Sequence, residues 1–554
     1  MHEISVTLPS KKRITTTYGT RVYELIKQEE ELRQSDFPFV AALVNNELVS
    51  LSFKIEINSN LKLVTLDMPQ GTRIYRNSLI FLLAYAANQL YPDSRLVIGH
   101  SLGDGYFCYL ENGEDITADY VRDIKQKMLS VVSEDLPIMR KVMSYTEVVN
   151  HYHKRNEKSR VLRLRYRNEQ KIPVYACNDY IELGYQPLVP STGYLTDFGL
   201  LPYENGFILQ YPPNGNPLSV GKFEENPVLF SIYQEYKSWG KILGVTCVGQ
   251  LNELTHKGGI DNFIQVAEAL HDKKIANIAD SIHQRKGTVK VVLIAGPSSS
   301  GKTTFTKKLA IQLRVIGFNP VMISLDDYFV PREMTPRDED GNYDFESIDA
   351  IDIKLLNEHL VSMFSGNEIE LPQFDFKSGK RKSSGNMLRL EDRNILLMEG
   401  IHGLNDKLTH LIDPEKKFKI YISALTQLNL DNQTRIPTTD NRLIRRMVRD
   451  FQFRGHSALD TLRMWPSVRR GEERNIFPFQ NNADAAFNSA LDYELAILKH
   501  YAEPVLKTVK PYHEEYAEAI RLTDFLSNFI GIPERQIPKM SILREFIGES
   551  GFKY

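Results

Sequence analysis

The 554-residue chain is poor in cysteine, tryptophan and net charge. Its three cysteines, Cys108, Cys177 and Cys247, stand far apart. They form neither a metal-spaced pair nor a disulfide framework, which fits a reducing cytoplasm. A net charge of −2 supplies no global field for nucleic acid, so any such contact must be local. No apolar run reaches the roughly 18 residues needed to span a bilayer. The start, "MHEISVTLPSKKRITTTYGT", is polar and strand-like and does not read as a signal peptide. No repeat or low-complexity segment is visible. What remains is ordinary globular composition, 42% hydrophobic and 25% charged, at a length that calls for about three or four domains. A multidomain α/β and α+β protein of the cytoplasm, with no membrane partner, is the expectation.

One stretch carries immediate chemistry. Val289–Ala295 is nearly all aliphatic, a buried-strand pattern. Gly296-Pro-Ser298-Ser299-Ser300-Gly301-Lys302-Thr303-Thr304 follows, then a helix-forming run from Phe305 to Val315. Strand, glycine loop and helix are the context a phosphate-binding loop requires. Its backbone N–H groups and the helix N-terminus can hold anionic oxygens. Lys302 would bridge the β- and γ-phosphates of ATP or GTP, and Thr303 would ligate Mg²⁺.

Two later strands point acids at the same place. "NPVMISLDDYF" (319–329) ends in a pair of aspartates, and "RNILLMEG" (393–400) ends in Glu399-Gly400. A carboxylate on that sheet edge can hold the metal or take a proton from an attacking hydroxyl. "TTDNRLIRRMVRDFQFRG" (438–455) then crowds Arg442, Arg445, Arg446, Arg449 and Arg454. The first four follow helical spacing on one face, which suggests a lid closing over a transferring phosphoryl group. Motors and switches need sensor elements that are not found here. A metal acid, a base and an arginine lid point to a small-molecule kinase.

These residues resemble the uridine kinase and phosphoribulokinase family. The matching pieces, "GPSSSGKTT", "SLDDYF", "NYDFESIDAID", "LPQFDFKSGKR", "MEGIHGL" and "RLIRRMVRDFQFRG", run from about 289 to 500, with a family-like tail "PKMSILREFIG" (538–548). The resemblance implies that Asp326 is the base for the acceptor's 5′-hydroxyl. It implies that Asp344 holds the ribose hydroxyls and Glu399 is the magnesium-side acid. Arg449 and Arg454 would contact phosphate from the lid, and Arg381 would close the acceptor pocket alongside Phe374 and Asp375. Nucleoside kinases of this family usually carry Pro-x-Tyr-Asp and a nearby histidine around the base. Here Phe374 stands at the tyrosine and Gly379 roughly at the histidine. A site without those polar groups discriminates bases less sharply, so uridine is only the family default.

The half that precedes the loop has its own pattern. Residues 1–66 show short alternating strands and a helix near Thr20–Leu32, with Asn45-Asn46 as a hairpin turn. They resemble the TGS domain, a β-grasp (ubiquitin-like) fold. "MPQGTRIYRNSLIFLLAYAANQLYPDSRLVIGHSLGDGYF" (68–107) and "VYACNDYIELGYQPLVPSTG" (174–193) are similar to the editing domain of threonyl-tRNA synthetase. That domain uses a His-x-x-x-His and a Cys-x-x-x-His pair. Asn77, Phe81, Gly184 and Leu188 occupy those places, and none can replace the lost chemistry, so editing activity is expected to be absent. His100, His151 and His153 read as loop or surface histidines. Nothing after residue 200 resembles an aminoacylation domain.

Within 151–171, Arg163, Arg165 and Arg167 alternate with Leu164 and Tyr166, a strand-like basic face that could be a protected edge or a weak RNA contact. The division expected is 1–66 TGS-like, 67–221 editing-like, 222–285 a helical connector and packing layer, and 286–554 a P-loop NTPase domain with a parallel sheet and helices on both faces. The function expected is ATP-dependent phosphorylation of a nucleoside by a homo-oligomer. The alternative is an RNA-associated, regulatory P-loop NTPase.

Overall fold

The computed structural model describes residues 3–214, 216, 219–338, 341, 343–375 and 378–553. Asn342, Phe376 and Lys377 of the acceptor-side motifs, and the chain ends at 1–2 and 554, lie outside the described residues.

The chain opens with β1 (Glu3–Thr7), β2 (Arg13–Thr17), α1 (Val22–Gln28), β3 (Phe39–Val44), β4 (Glu47–Val49) and β5 (Ser59–Thr65). The strand order is β2-β1-β5-β3-β4, with β1 and β5 parallel. Val22 and Leu25 of α1 pack against Val6, Ala42 and Leu63 of the sheet, the β-grasp arrangement. Asn45 and Asn46, at φ 51° and 62°, make the β3–β4 turn. Two left-handed residues give a hairpin turn the same twist as its strands.

Next come α2 (Pro69–Leu90), β6 (Leu96–Leu102), β7 (Gly105–Leu110), α3 (Ala118–Glu134), β8 (Met139–Ser144), α4 (Tyr145–Lys154) and α5 (Lys158–Arg165). β9 (Lys171–Cys177), β10 (Tyr180–Leu183), β11 (Gly199–Tyr203) and β12 (Gly206–Gln210) complete two antiparallel sheets, β11-β12-β7-β6 and β10-β9-β8. Two expectations are corrected here. The basic segment is helical, and its arginines do not form one exposed face. Arg160 and Arg163 are buried, pairing with Glu182 and Asp431, while Arg165 and Arg167 pair with Glu253 and Glu169. Three alternations were too short to fix a period, and carboxylates from distant elements decided the outcome. His100 is also not in a loop: it lies in β6 and is 5% exposed.

Helices α6 (Pro227–Leu243), α7 (Val248–Lys257) and α8 (Ile260–Gln284) lead into β13 (Val291–Ala295), α9 (Lys302–Val315), β14 (Asn319–Ser324) and α10 (Ile353–Phe364). The hairpin β15 (Ile369–Asp375) and β16 (Lys380–Leu388) precedes β17 (Asn394–Glu399) and β18 (Lys417–Ser423). The chain continues through α11 (Thr438–Phe453), α12 (Ala458–Asn475), β19 (Ala485–Asn488), α13 (Glu494–Leu506), α14 (Tyr516–Leu526) and α15 (Arg544–Ile547). The central sheet, β14-β17-β13-β18-β19, is parallel throughout. Strand side chains alternate between faces. Val292 and Ile294 accordingly join α8, α9 and α13 in one hydrophobic cluster, and Val291 and Leu293 join α10 in another. Ile264, Ile275 and Ile282 of α8 share the first cluster, so this helix is a layer of the core under the parallel sheet as well as a connector.

Segment 429–435 latches the two halves together. Ile98 N–H donates to Asn432 O at 2.8 Å, Asn429 Nδ2 donates to Ile98 O at 2.9 Å, and Arg163 Nη1 meets Asp431 Oδ2 at 2.5 Å.

Candidate active site

The loop after β13 is shaped by close approach. A Cβ on Gly296 would lie 2.0 Å from Ile422 O of β18, and Gly301 turns at φ 81° into α9. No other residue type satisfies both demands without strain. Lys302 Nζ lies over Gly296 O (3.0 Å) and Pro297 O (3.3 Å). The hydroxyls of Ser299 and Ser300 are buried without a partner. Orphaned hydroxyls and an ammonium in one concavity fit an anionic phosphate chain.

The acids divide their work. Asp326 and Asp327 sit on a short 3₁₀ turn, Leu325–Tyr328, and not on the strand end that the sequence suggests. Asp327 Oδ1 accepts from Phe374 N at 3.2 Å and anchors the β15 hairpin. The Asp326 carboxylate takes no hydrogen bond among the described residues and opens to solvent. Dense protein around it, then the neighbouring Asp327, push its carboxyl upward against the pull of Lys302 and Arg454. Glu399, at the end of β17, accepts from Thr303 Oγ1 at 2.9 Å. Burial raises its carboxyl to about 6, partly restrained by Lys302. Thr303 and Glu399 are thus together where a divalent cation would need them.

Glu399 carries a prediction. Its carboxyl binds a proton more tightly in the folded chain, so ionisation costs stability as pH rises past the usual carboxylate range. Glu399→Gln keeps an acceptor for Thr303. It is expected to leave the ligand-free protein equally stable, or up to ~2 kcal/mol more stable, at pH 8, while abolishing Mg²⁺-dependent tightening of ATP. Melting curves across pH and ATP titrations with and without Mg²⁺ check this. A less stable variant at pH 8 would show that the carboxylate is structural.

The arginine lid is corrected in part. Arg442 and Arg445 are 1% and 0% exposed and locked in buried pairs with Glu472 and Glu494, so they brace α11. Of the remaining three, Arg446 reaches the phosphate loop and Arg454 lies within the influence of Asp326. Arg446 Nη1 donates to Ser298 Oγ at 2.8 Å. Arg446, Arg449 and Arg454 surround the buried Asp450 at 3.1, 3.0 and 3.5 Å.

Three acids had no assigned role in the sequence reading. Glu472 accepts from Ser298 N at 3.0 Å. Glu346, raised to about 7 by burial and by Glu472, lies within the influence of Lys302, Arg446 and Asp326. Glu545 of α15 accepts from Thr304 N (3.1 Å) and Oγ1 (2.6 Å), so a bound phosphate must displace it to use Thr304. Glu346 and Glu545 had a sequence signal, since they lie in the family-like pieces "NYDFESIDAID" and "PKMSILREFIG"; Glu472 had none.

The acceptor-side residues are placed but not all free. Asp344 Oδ1 accepts from Glu346 N at 3.1 Å and shapes its own loop. Arg381 Nη2 is bound by Asp352 Oδ2 at 2.9 Å, and Asp375 pairs with Lys382. Phe374 is buried, edge-on to Phe329 at 5.7 Å, and presents no polar group. In the N-terminal half, Asn77, Phe81 and Leu188 line one cleft, with Gly184 between its lining residues Leu183 and Tyr185.

A parallel sheet with a glycine loop, a hydroxyl–carboxylate pair and a free aspartate on one edge is the layout of a P-loop kinase. Comparison with known proteins narrows the class. Residues 291–496 match the model described as the Phosphoribulokinase / Uridine kinase family. The N-terminal half matches threonine–tRNA ligases. That of Carboxydothermus hydrogenoformans is 32% identical over 163 residues, 29% of this chain and 26% of the ligase. That of Desulforamulus reducens is 29% identical over 199 residues, 36% of this chain and 31% of the ligase. The chain therefore spans about a quarter to a third of the length of these relatives. Among solved structures, a possible uridine kinase from Bacillus stearothermophilus overlays at a TM-score of 0.28 and 20% identity, covering 39% of this chain and 98% of that one. Among the described residues, no helix is long and apolar enough to cross a membrane.

Proposed function

We propose that the protein is a nucleoside kinase that uses ATP or GTP with Mg²⁺ to phosphorylate a nucleoside 5′-hydroxyl. The observation that carries this is Asp326, an aspartate whose carboxylate has no hydrogen-bond partner among the described residues, on the sheet edge beside Lys302. An acid left free there can accept the proton of an attacking hydroxyl. The bound nucleotide and its Mg²⁺ supply the phosphoryl group and much of the charge neutralisation. Lys302 and the N–H groups of 296–301 orient the phosphate chain, and Thr303 with Glu399 would hold the cation. Arg446, Arg449 and Arg454 can meet charge developing on the transferred group. Asp344, in a loop close to that edge, is the candidate for the ribose hydroxyls. Phe374 gives the acceptor pocket an apolar wall, which favours tolerance among bases.

The test is ADP release with Mg-ATP over a panel of nucleosides, with fructose, a sugar phosphate and glycerate as competing acceptors. Turnover on several nucleosides is the expected result. Turnover confined to a sugar or to glycerate would retain the kinase and remove the nucleoside. No turnover on any acceptor, with ATP still bound, would overturn the reading.

A further inference from the structure

Between the N-terminal half and the kinase lies a cleft of about 930 Å³. Its wall includes Pro297 of the phosphate loop and Arg442 of α11. Several of its other lining residues carry unusual polar groups. His100 is 5% exposed, and its Nδ1 has no partner. Arg76 Nε, Arg435 Nε and Thr438 Oγ1, all on residues lining the same cleft, are also buried and unpartnered. A buried polar atom left unsatisfied is destabilising, so four around one cavity need an explanation.

The two arginines share a second property. Neither makes an ion pair with a carboxylate among the described residues. Arg76 lies over the Tyr211 ring at 4.2 Å, and Arg435 lies over Tyr106 at 5.1 Å. The two rings pack on each other at 4.7 Å. The aromatic pair thus holds one guanidinium from each half of the protein over a common floor. Their remaining contacts are neutral: Arg76 Nη2 donates to Pro212 O and Asn214 Oδ1, and Arg435 Nη2 donates to Ser101 Oγ at 3.4 Å. Asp104 also lines the cleft and, lying near Arg76, offsets part of its charge. Burial and the nearby Arg435 keep His100 neutral, so its ring can accept or donate.

The geometry points to a binding site for a small organic anion, bearing a phosphate or carboxylate group, clamped between Arg76 of the N-terminal half and Arg435 of the kinase half. Guanidinium forks match both groups. The aromatic floor would carry a planar or apolar remainder of the ligand. Arg435 stands three residues before α11, the helix that carries Arg446 and Arg449 and ends at Arg454. An anion seated on Arg435 therefore pulls on the segment from which those arginines extend. This assignment does not depend on which acceptor the kinase phosphorylates.

The experiment is calorimetric titration of the full chain with the P-loop already filled by saturating Mg-AMP-PNP. Two probes are used, inorganic phosphate and citrate. One saturable site is expected for at least one probe, at least tenfold weaker in both Arg76→Gln and Arg435→Gln. Binding of phosphate alone assigns a phosphorylated ligand, and binding of citrate alone assigns a carboxylate. No saturable binding of either probe overturns the assignment, as does binding that survives the double variant. If a variant fails to fold, phenylglyoxal modification of the wild-type protein answers instead. The bound probe should protect Arg76 and Arg435 together, and modification of both at the unprotected rate overturns the site.

Discussion

Asp326→Asn is expected to slow phosphoryl transfer by about 10²- to 10⁴-fold, the worth of a positioned general base, with ATP binding intact. The substitution changes no volume and breaks no bond, because the Asp326 carboxylate has no hydrogen-bond partner among the described residues. It removes only the proton acceptor. Its neighbour offers the contrast: Asp327 anchors Phe374 N, so Asp327→Ala should loosen the acceptor hairpin and raise KM. The two acids are adjacent in sequence and opposite in role. Single-turnover ADP formation and an ATP titration on each variant separate the cases. Full transfer in Asp326→Asn would remove Asp326 from the chemistry. The pH profile of the wild type gives a linked check. Asp326 must be ionised to accept a proton, and its carboxyl is pushed upward. Glu399 loses its charge near 6. Activity should therefore rise with pH through the range just above ordinary carboxylates and fall away below about 6.

Asp431→Ala is expected to cost about 3–5 kcal/mol, the penalty for stranding a buried charge. Asp431 is 0% exposed and Arg163 4%. Arg163 reaches across from α5, with Asn528 Oδ1 on its Nε at 2.9 Å, and among the described residues Asp431 is the acid with which it forms an ion pair. Asp431 also accepts from the Gln433 and Thr434 N–H groups at 3.0 Å, so the same change unmakes the turn that presents Asn432 to Ile98. Denaturant melts should show the loss, and limited proteolysis should release the two halves from each other. A loss below about 1 kcal/mol would mean that the halves do not depend on this contact. The pH dependence has a definite sign. Burial alone would favour the neutral acid, but Arg163 and Arg160 hold the Asp431 carboxyl below its usual range. Its contribution is present at neutral pH and fades as pH falls through that lowered value.

The sequence by itself determined whatever depends on local order. Strand, glycine loop and helix follow from residue type at fixed spacing, and the loop cannot close without Gly296 and Gly301. Thr303 and Glu399 could be paired because strands of a parallel sheet deliver their ends to one edge. The Asn45-Asn46 turn and the apolar helices of 227–284 were legible for the same reason. What only the tertiary structure decided concerns charge. Five arginines on one segment read alike in sequence, yet two are buried against Glu472 and Glu494 while three gather around Asp450. Arg163 read as surface and is buried against Asp431. His100 read as a loop residue and lies at a cavity wall. For the buried arginines the deciding partner lies in a separate element, up to 268 positions away between Arg163 and Asp431. A charged side chain has no periodic signature of burial: its environment is set by which distant group folding brings within a few ångströms.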